Sequence, residues 1–316
     1  MQRRRQVVRE MRYDLIAIGN PVYDLITTPM ITTNGRTLSG CSTNACLAAK
    51  RLGMQNVRLV GNVGLDFSER FSGEMKRYGI DIVNTGKGLE TTGFSLKYDH
   101  KGDRTLRVIG NAGEIPITTV WRECQETRYL LLAPVLYELN LDSLIELTNS
   151  TETELFLDPQ GLLRRLASDA AVEHFCDTRK FRRLVSSVDF IKPNELEANV
   201  ITGLRDCAES ARVLVQWGAR AAIVTLGENG SVACDRQGCL AIPAYKTTAV
   251  DPTGAGDVYA GAFLAEYGRT GDLGSSCLYA SAAASVMVES IGPDFAVNDQ
   301  EVRRRAQLIG SKVRPL

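Results

Sequence analysis

The segment Val250-Asp251-Pro252-Thr253-Gly254-Ala255-Gly256-Asp257-Val258-Tyr259-Ala260-Gly261-Ala262-Phe263 has the residue types best suited to chemistry. A Pro-stopped turn runs through Gly-Ala-Gly into a helix-like stretch of small and apolar residues. Glycines let successive backbone N–H groups converge, and a helix N-terminus adds partial positive charge, so this segment can hold an anion without Lys or Arg. Asp257 stands at the mouth of that site. A carboxylate there either caps the helix or acts as a general base. As a base it takes the proton of a hydroxyl that attacks a phosphoryl group, whose charge the Gly254, Ala255 and Gly256 amides stabilise. These residues alone leave both readings open. A dinucleotide fingerprint fits less well, because Tyr259 stands where a final Gly or Ala is wanted, and no G-x-x-x-x-G-K-[ST] run is present.

The elements that must position this loop follow from hydrophobic periodicity. Short apolar runs at 14–18, 57–60, 129–132, 154–157, 190–192, 221–225 and 231–234 read as strands. Amphipathic or small-residue stretches at 43–52, 67–78, 141–148, 195–202, 208–217, 258–267, 273–289 and 298–310 read as helices. Such alternation predicts βαβ units and an α/β fold, with a mostly parallel sheet covered on both faces. Two segments, 27–38 and 92–107, carry period-two patterning instead, the second with a hairpin-type turn at 99–103. They predict a small β-sheet that projects from the main body as a lid. The expected domains are therefore a discontinuous α/β unit over 1–26, 39–91 and 109–316, and a lid over 27–38 and 92–108.

Composition narrows the function classes. The 316 residues include 37 Lys+Arg and 37 Asp+Glu, so the formal net charge is zero, which argues against a general nucleic-acid binder. No stretch approaches the ~20 apolar residues of a membrane span. The basic start, Met1-Gln2-Arg3-Arg4-Arg5, is read as a flexible leader over residues 1–10. The eight cysteines contain no C-x-x-C and only two histidines accompany them, so free, mostly buried thiols of a cytoplasmic protein are expected rather than disulfides or zinc sites.

Asp251–Asp257 resembles the D-x-T-G-A-G-D signature of the ribokinase-like (PfkB) family of carbohydrate kinases, and further motifs follow in the right order across 14–292. The resemblance implies a three-layer α/β/α domain with a β lid. It also implies ATP- and Mg²⁺-dependent transfer of a phosphoryl group to a hydroxyl of a small polyhydroxylated substrate. Asp257 takes the place of the family's catalytic base, and Gly254, Ala255 and Gly256 that of its anion hole. Asp24, in Gly19–Asp24, takes the place of the Asp that accepts hydrogen bonds from substrate hydroxyls. Ser39-Gly40-Cys41-Ser42-Thr43-Asn44-Ala45 resembles the G-G-x-x-x-N-x-A substrate motif, with Gly40 and Asn44 matched and Ser39 replacing the first Gly; the local alternative is a helix start capped by Ser42 or Thr43.

Lys192-Pro193-Asn194-Glu195-Leu196-Glu197 resembles the N-x-x-E motif, in which Asn194 and Glu197 organise Mg²⁺ and phosphate through water; read locally it is a capping box. Thr225-Leu226-Gly227-Glu228-Asn229-Gly230 resembles the T-L-G-x-x-G nucleotide turn, and the small-residue helix around 280–285 lies where the family's adenine pocket is expected. Asp251 and Thr253, with carbonyls near 285–292, resemble the loop that binds an activating K⁺ in some members. Arg104, in the lid, stands where a basic residue can reach an anionic substrate or simply meet solvent. An exposed lid edge invites edge-to-edge pairing, so a homodimer is expected. The acceptor is expected to be a small sugar; a nucleoside, an inositol or a sugar phosphate is the alternative within the family, and a non-catalytic ligand-binding pseudokinase the alternative outside catalysis.

Overall fold

The computed structural model describes residues 11–86, 88–99, 104–149, 151–167 and 171–316. The leader assigned to 1–10 and the lid turn at 100–103 lie outside them. The first half of the chain runs β1 (Tyr13–Ile18), β2 (Val22–Thr27), β3 (Thr37–Ser39), α1 (Cys41–Arg51), β4 (Val57–Gly61), α2 (Ser68–Tyr78), β5 (Asp81–Asn84), β6 (Gly93–Tyr98), β7 (Arg104–Gly110), α3 (Ile117–Cys124), β8 (Thr127–Leu132), α4 (Leu141–Thr148) and β9 (Glu154–Leu157). It continues through β10 (Arg164–Leu166), β11 (Val172–His174), α5 (Thr178–Val185), β12 (Phe190–Ile191), α6 (Glu195–Thr202), α7 (Cys207–Gln216), β13 (Ala221–Thr225), β14 (Ser231–Asp235), β15 (Cys239–Ile242), α8 (Ala255–Thr270), α9 (Leu273–Met287), α10 (Asp299–Gly310) and β16 (Arg314–Pro315).

Ten strands form the central sheet in the order β16-β15-β14-β13-β12-β9-β8-β1-β4-β5. From β13 to β5 neighbouring strands pair in parallel, whereas β14, β15 and β16 are antiparallel additions. In β1 the side chains of Leu15 and Ala17 enter one core and those of Ile16 and Ile18 the other, as a strand covered on both faces requires. Helices α1, α2, α8, α9 and α10 cover the first face, and α3 to α7 the second. The architecture is the three-layer α/β/α arrangement expected, with a separate four-stranded sheet in the order β3-β2-β6-β7.

That small sheet takes β2, Val22–Thr27, of which the sequence reading gives all but Thr27 to the large unit. Pro21 ends β1's direction, and the chain re-enters as β2, antiparallel to β3 and parallel to β6. Asp24 is thus a lid-sheet residue. The expected strand-like run at 27–38 shrinks to β3 and an isolated bridge, Thr27 to Thr32, because Pro29 and Gly35 interrupt it.

The cysteine expectation is corrected. Cys234 and Cys239 face each other directly across the β14–β15 hairpin, 4.1 Å apart at Cα, and form a disulfide. Hairpin register set this pair; a spacing of five residues does not reveal it. The other six cysteines form no disulfide among the described residues. Among the described residues no helix is long and apolar enough to cross a membrane.

Helix α8 is buried on nearly every side over Val258–Glu266, clasped between α1 and α9. Its small residues make that possible. At Gly261 a Cβ would stand 2.2 Å from the Ala45 carbonyl oxygen of α1, so only glycine allows the two backbones to meet there. The clasp fixes where the first turn of α8 points.

Candidate active site

The first turn of α8 opens on a cavity of about 240 Å³ between the carboxyl ends of the central strands and the inner face of the small sheet. Ligands of open α/β sheets bind outside the carboxyl ends of strands. Gly254 adopts φ 86°, a left-handed conformation that favours glycine, and turns the chain into α8. Gly254, Gly256 and Asp257 line the cavity. The amide cradle is thinner than expected, because the Ala255 N–H donates to the Pro252 carbonyl at 3.3 Å and the Asp257 N–H to the Gly254 carbonyl at 3.1 Å.

Asp257 does not cap its own helix through a side-chain bond. Its Oδ2 accepts 3.0 Å from Asn44 Nδ2, and burial, seconded by the nearby Asp158 charge, pushes its carboxyl above the usual carboxylate range. The Asn44 bond, the Lys192 ammonium and the Cys41 thiol pull the other way. A carboxylate raised by burial and held by one amide is suited to receive a proton.

Gly40, at φ 113°, is the N-cap of α1 and lines the cavity. Asn44 sits one turn on, buried, and orients Asp257 from behind instead of facing the cavity. The local alternative of a Ser42 or Thr43 cap is not what forms: Ser42 Oγ donates to the Gly19 carbonyl at 2.8 Å, tying α1 to the end of β1. Asp24 lines the same cavity from β2 and accepts from the Phe94 N–H at 2.8 Å. Burial raises its carboxyl to about 7, against the Phe94 amide, the Ser39 hydroxyl and the Arg36 and Arg164 charges. Ser39, the departure from the G-G motif, is therefore a neighbour of Asp24.

Asn194 and Glu197 form a complete capping box: the Glu197 N–H donates to Asn194 Oδ1 at 2.8 Å and the Asn194 N–H to Glu197 Oε2 at 2.9 Å. Both also line the cavity. Thr225 and Gly227 line it too, whereas Gly230 does not; a Cβ there would stand 2.0 Å from the Ile242 carbonyl, a close approach that glycine alone permits. The 280–285 stretch belongs to the buried body of α9, and none of it lines the cavity. The side chain of Arg104 lies outside the described residues.

Asp251 Oδ1 accepts from the Thr253 N–H at 2.9 Å, while Asp251 Oδ2 is buried with no hydrogen-bond partner among the described residues. An orphaned carboxylate oxygen fits a cation seat, so Asp251 suits the K⁺ loop that the resemblance implies. The Thr253 hydroxyl meets the Tyr98 hydroxyl at 2.9 Å, which joins the small sheet to the anion loop. Among the described residues no group of three or more His, Cys, Asp or Glu is placed to hold a metal ion. The carboxylates present fit a divalent ion carried by donor phosphates, not one caged by protein.

Sequence reasoning missed Asp158, Gln160, Arg164 and Lys192, all lining the cavity. Asp158 and Lys192 each follow directly on the last residue of the adjacent parallel strands β9 and β12, whose register pairs Leu157 with Ile191. That places them side by side, and Lys192 Nζ lies 2.9 Å from Asp158 Oδ2 with both side chains about 4% exposed. Their position just past strand ends was the available signal.

Several known proteins are similar to this chain over most of its length. A cytidine kinase of Thermococcus kodakarensis is 31% identical over 270 residues, covering 81% of this chain and 89% of the relative. A deoxyribokinase of Salmonella typhimurium is 27% identical over 282 residues, covering 82% and 87%. The crystal structure of a ribokinase from Thermotoga maritima superposes with a TM-score of 0.73 at 19% identity, covering 93% of this chain and 99% of that one. The pattern of the pfkB family carbohydrate kinases matches residues 15–300, the span that contains the glycine loop, Asp257 and every strand end around the cavity, and the chain belongs to that family.

Proposed function

We propose that this protein transfers the γ-phosphoryl group of ATP to a hydroxyl of a small sugar. The observation that carries the reading is one cavity holding three things together: the glycine-lined N-terminus of α8, the Asn44-oriented Asp257 carboxylate, and Asp24 facing them from the small sheet. Asp24 accepts hydrogen bonds from the acceptor's hydroxyls. Asp257 receives the proton of the attacking hydroxyl, while the Gly254 and Gly256 amides face the charge on the transferred group. Mg²⁺, when bound with the nucleotide, neutralises phosphate charge. Asn194, Glu197, Thr225 and Gly227 line the donor side of the cavity, and Asp251 with Thr253 forms the seat for K⁺.

A second reading, in which the acceptor is a nucleoside, is favoured by the 31% identity to a cytidine kinase. Both acceptors present a pentose hydroxyl, and the deoxyribokinase relative points to the same moiety. Measuring ADP release with ribose, deoxyribose, fructose, myo-inositol and cytidine, with K⁺ and Na⁺ compared, separates the readings. Turnover with cytidine alone replaces the sugar reading. Acceptor binding without ADP release from any of them ends the kinase reading.

Asp24 offers a prediction in which stability and function oppose each other. Its folded-state carboxyl, about 7, lies above the usual 3.8, so the folded protein binds this proton more tightly between those values. Stability therefore falls as pH rises through that window and stays reduced above it. Asp24→Asn, neutral at every pH, is expected to raise Tm at about pH 8, with the gap closing near pH 4. It should also raise the acceptor KM about 10- to 100-fold, as loss of a charged hydrogen-bond acceptor does. Thermal unfolding at both pH values checks the first part; an unchanged Tm at the higher pH contradicts it.

A further inference from the structure

The anion site is less well supplied with amides than its glycines suggest, since the Ala255 and Asp257 N–H groups are already donated to Pro252 and Gly254. It is also ringed by acid. Asp158, Glu197 and Asp257 all act electrostatically on the one ammonium of Lys192. A phosphoryl group entering among carboxylates is repelled unless a cation stands between them. Of the two cations lining the cavity among the described residues, Arg164 is committed to the wall: its Nη1 donates to the Val135 carbonyl at 2.8 Å and its Nη2 to Gln160. Lys192 is placed differently. A Cβ built on Gly256 would stand 3.3 Å from Lys192 Nζ, so the ammonium lies against the cavity-facing side of the anion loop. An ammonium has three donors, and the ion pair with Asp158 at 2.9 Å occupies one direction.

We propose that Lys192 is a catalytic residue, whose ammonium binds an oxygen of the phosphoryl group during transfer while Asp158 holds it in place. The inference rests on reading the start of α8 as the phosphoryl site. In the step itself, the bond from phosphorus to the donor oxygen breaks and a bond to the acceptor oxygen forms. The acceptor's proton goes to Asp257. Lys192 keeps its own proton throughout and acts as a fixed charge. Burial alone would favour its deprotonation, but the Asp158, Glu197 and Asp257 carboxylates outweigh burial and hold it in the charged form. Asp158 has the complementary task, since a buried ammonium without a partner would be costly and free to swing. Its carboxylate aims Lys192 at the loop because β9 and β12 end in register.

The test uses the full chain with ATP, Mg²⁺ and whichever acceptor supports ADP release. Lys192→Met, unbranched, uncharged and one atom shorter, should lower kcat about 100- to 1,000-fold, the loss seen when one preorganised charge-stabilising donor is removed. The acceptor KM should stay within a few-fold, because Asp24 and not Lys192 binds that hydroxyl. Lys192→Arg should recover at least ten-fold over the Met variant. Lys192→Ala should be rescued saturably by propylammonium and not by 1-propanol of the same length, a distinction that packing does not make. Should Lys192→Met not fold, Asp158→Asn combined with Lys192→Met removes both buried charges and is measured in its place. A Met variant, single or combined, with kcat within three-fold of wild type overturns the proposal, as does equal rescue by 1-propanol. If the unmodified chain itself fails to turn over any acceptor, or Asp257→Asn turns over normally, it is the underlying reading of the loop that falls.

Discussion

Asp257→Asn is expected to lower kcat by about 10³- to 10⁴-fold while nucleotide binding survives, the upper range for loss of a positioned general base. The substitution keeps volume and replaces the Oδ2 that accepts from Asn44 with a group unable to take a proton. Among the described residues no other carboxylate replaces it at the N-terminus of α8, since Asp158 is committed to Lys192 and Glu197 to the Asn194 N–H. The loss should therefore fall on kcat and kcat/KM together and leave the binding of ADP, measured by calorimetry, within a few-fold. Burial raises the Asp257 carboxyl above 3.8 in the free protein. A base acts only when deprotonated, so kcat at saturating acceptor should rise with pH through that raised value, and this acidic limb should disappear in the Asn variant, whereas the limb that Asp24 gives kcat/KM should remain. An Asn variant with near-normal turnover would remove Asp257 from the mechanism.

Gly261→Ala is expected to cost about 1–3 kcal/mol of stability, the usual range for overpacking a filled interior, and to lower kcat about 100-fold. One methyl group is added, yet it would stand 2.2 Å from the Ala45 carbonyl oxygen, 2.9 Å from its carbon and 3.0 Å from its Cα. These are backbone atoms of α1 and cannot rotate away, so the helices must separate. Separation moves Asn44, on α1, relative to Asp257, on α8, and a shift of about 1 Å in a positioned group is enough for that loss of rate. Gly73 is a suitable control, since a Cβ there meets nothing within 4 Å and its position in α2 is remote from the cavity. Denaturant unfolding of both variants with parallel kinetics checks the claim; a Gly261→Ala protein with wild-type stability and kcat would show that the helices have slack.

Much of the architecture was legible because its causes are local or periodic. The apolar runs of β1, β9 and β13 and the helix signals of α4 and α6 lie where the pattern puts them, since a doubly covered strand and a capped helix each announce themselves within a few residues. Helix α5 was not anticipated: Arg179, Lys180, Arg182 and Arg183 mask its apolar stripe of Phe181, Leu184 and Val185. Strand β15 was missed as well, and with it the Cys234–Cys239 bond, because a four-residue, half-buried strand takes its identity from its partners.

The site divides along the same line. Asp251–Asp257 was readable because a glycine turn into a helix is a property of contiguous backbone, and the Asn194–Glu197 box because its bonds close within one turn. Asn44 and Asp257, 213 residues apart, meet only because α1 and α8 pack at Gly261. Asp24 joins them only because β2 leaves the central sheet for the small one. With 37 basic and 37 acidic residues in balance, the sequence reading assigned anion binding mainly to backbone amides and a bound metal, not to Lys or Arg. Strand register between β9 and β12 decided otherwise and brought a buried Asp158–Lys192 pair to that site. By itself the sequence determined the glycine turn into α8 and the capped start of α6, since backbone conformation is set over a few residues. Tertiary structure decided which charges and bases face one another, because side-chain electrostatics acts across space and only packing sets those distances.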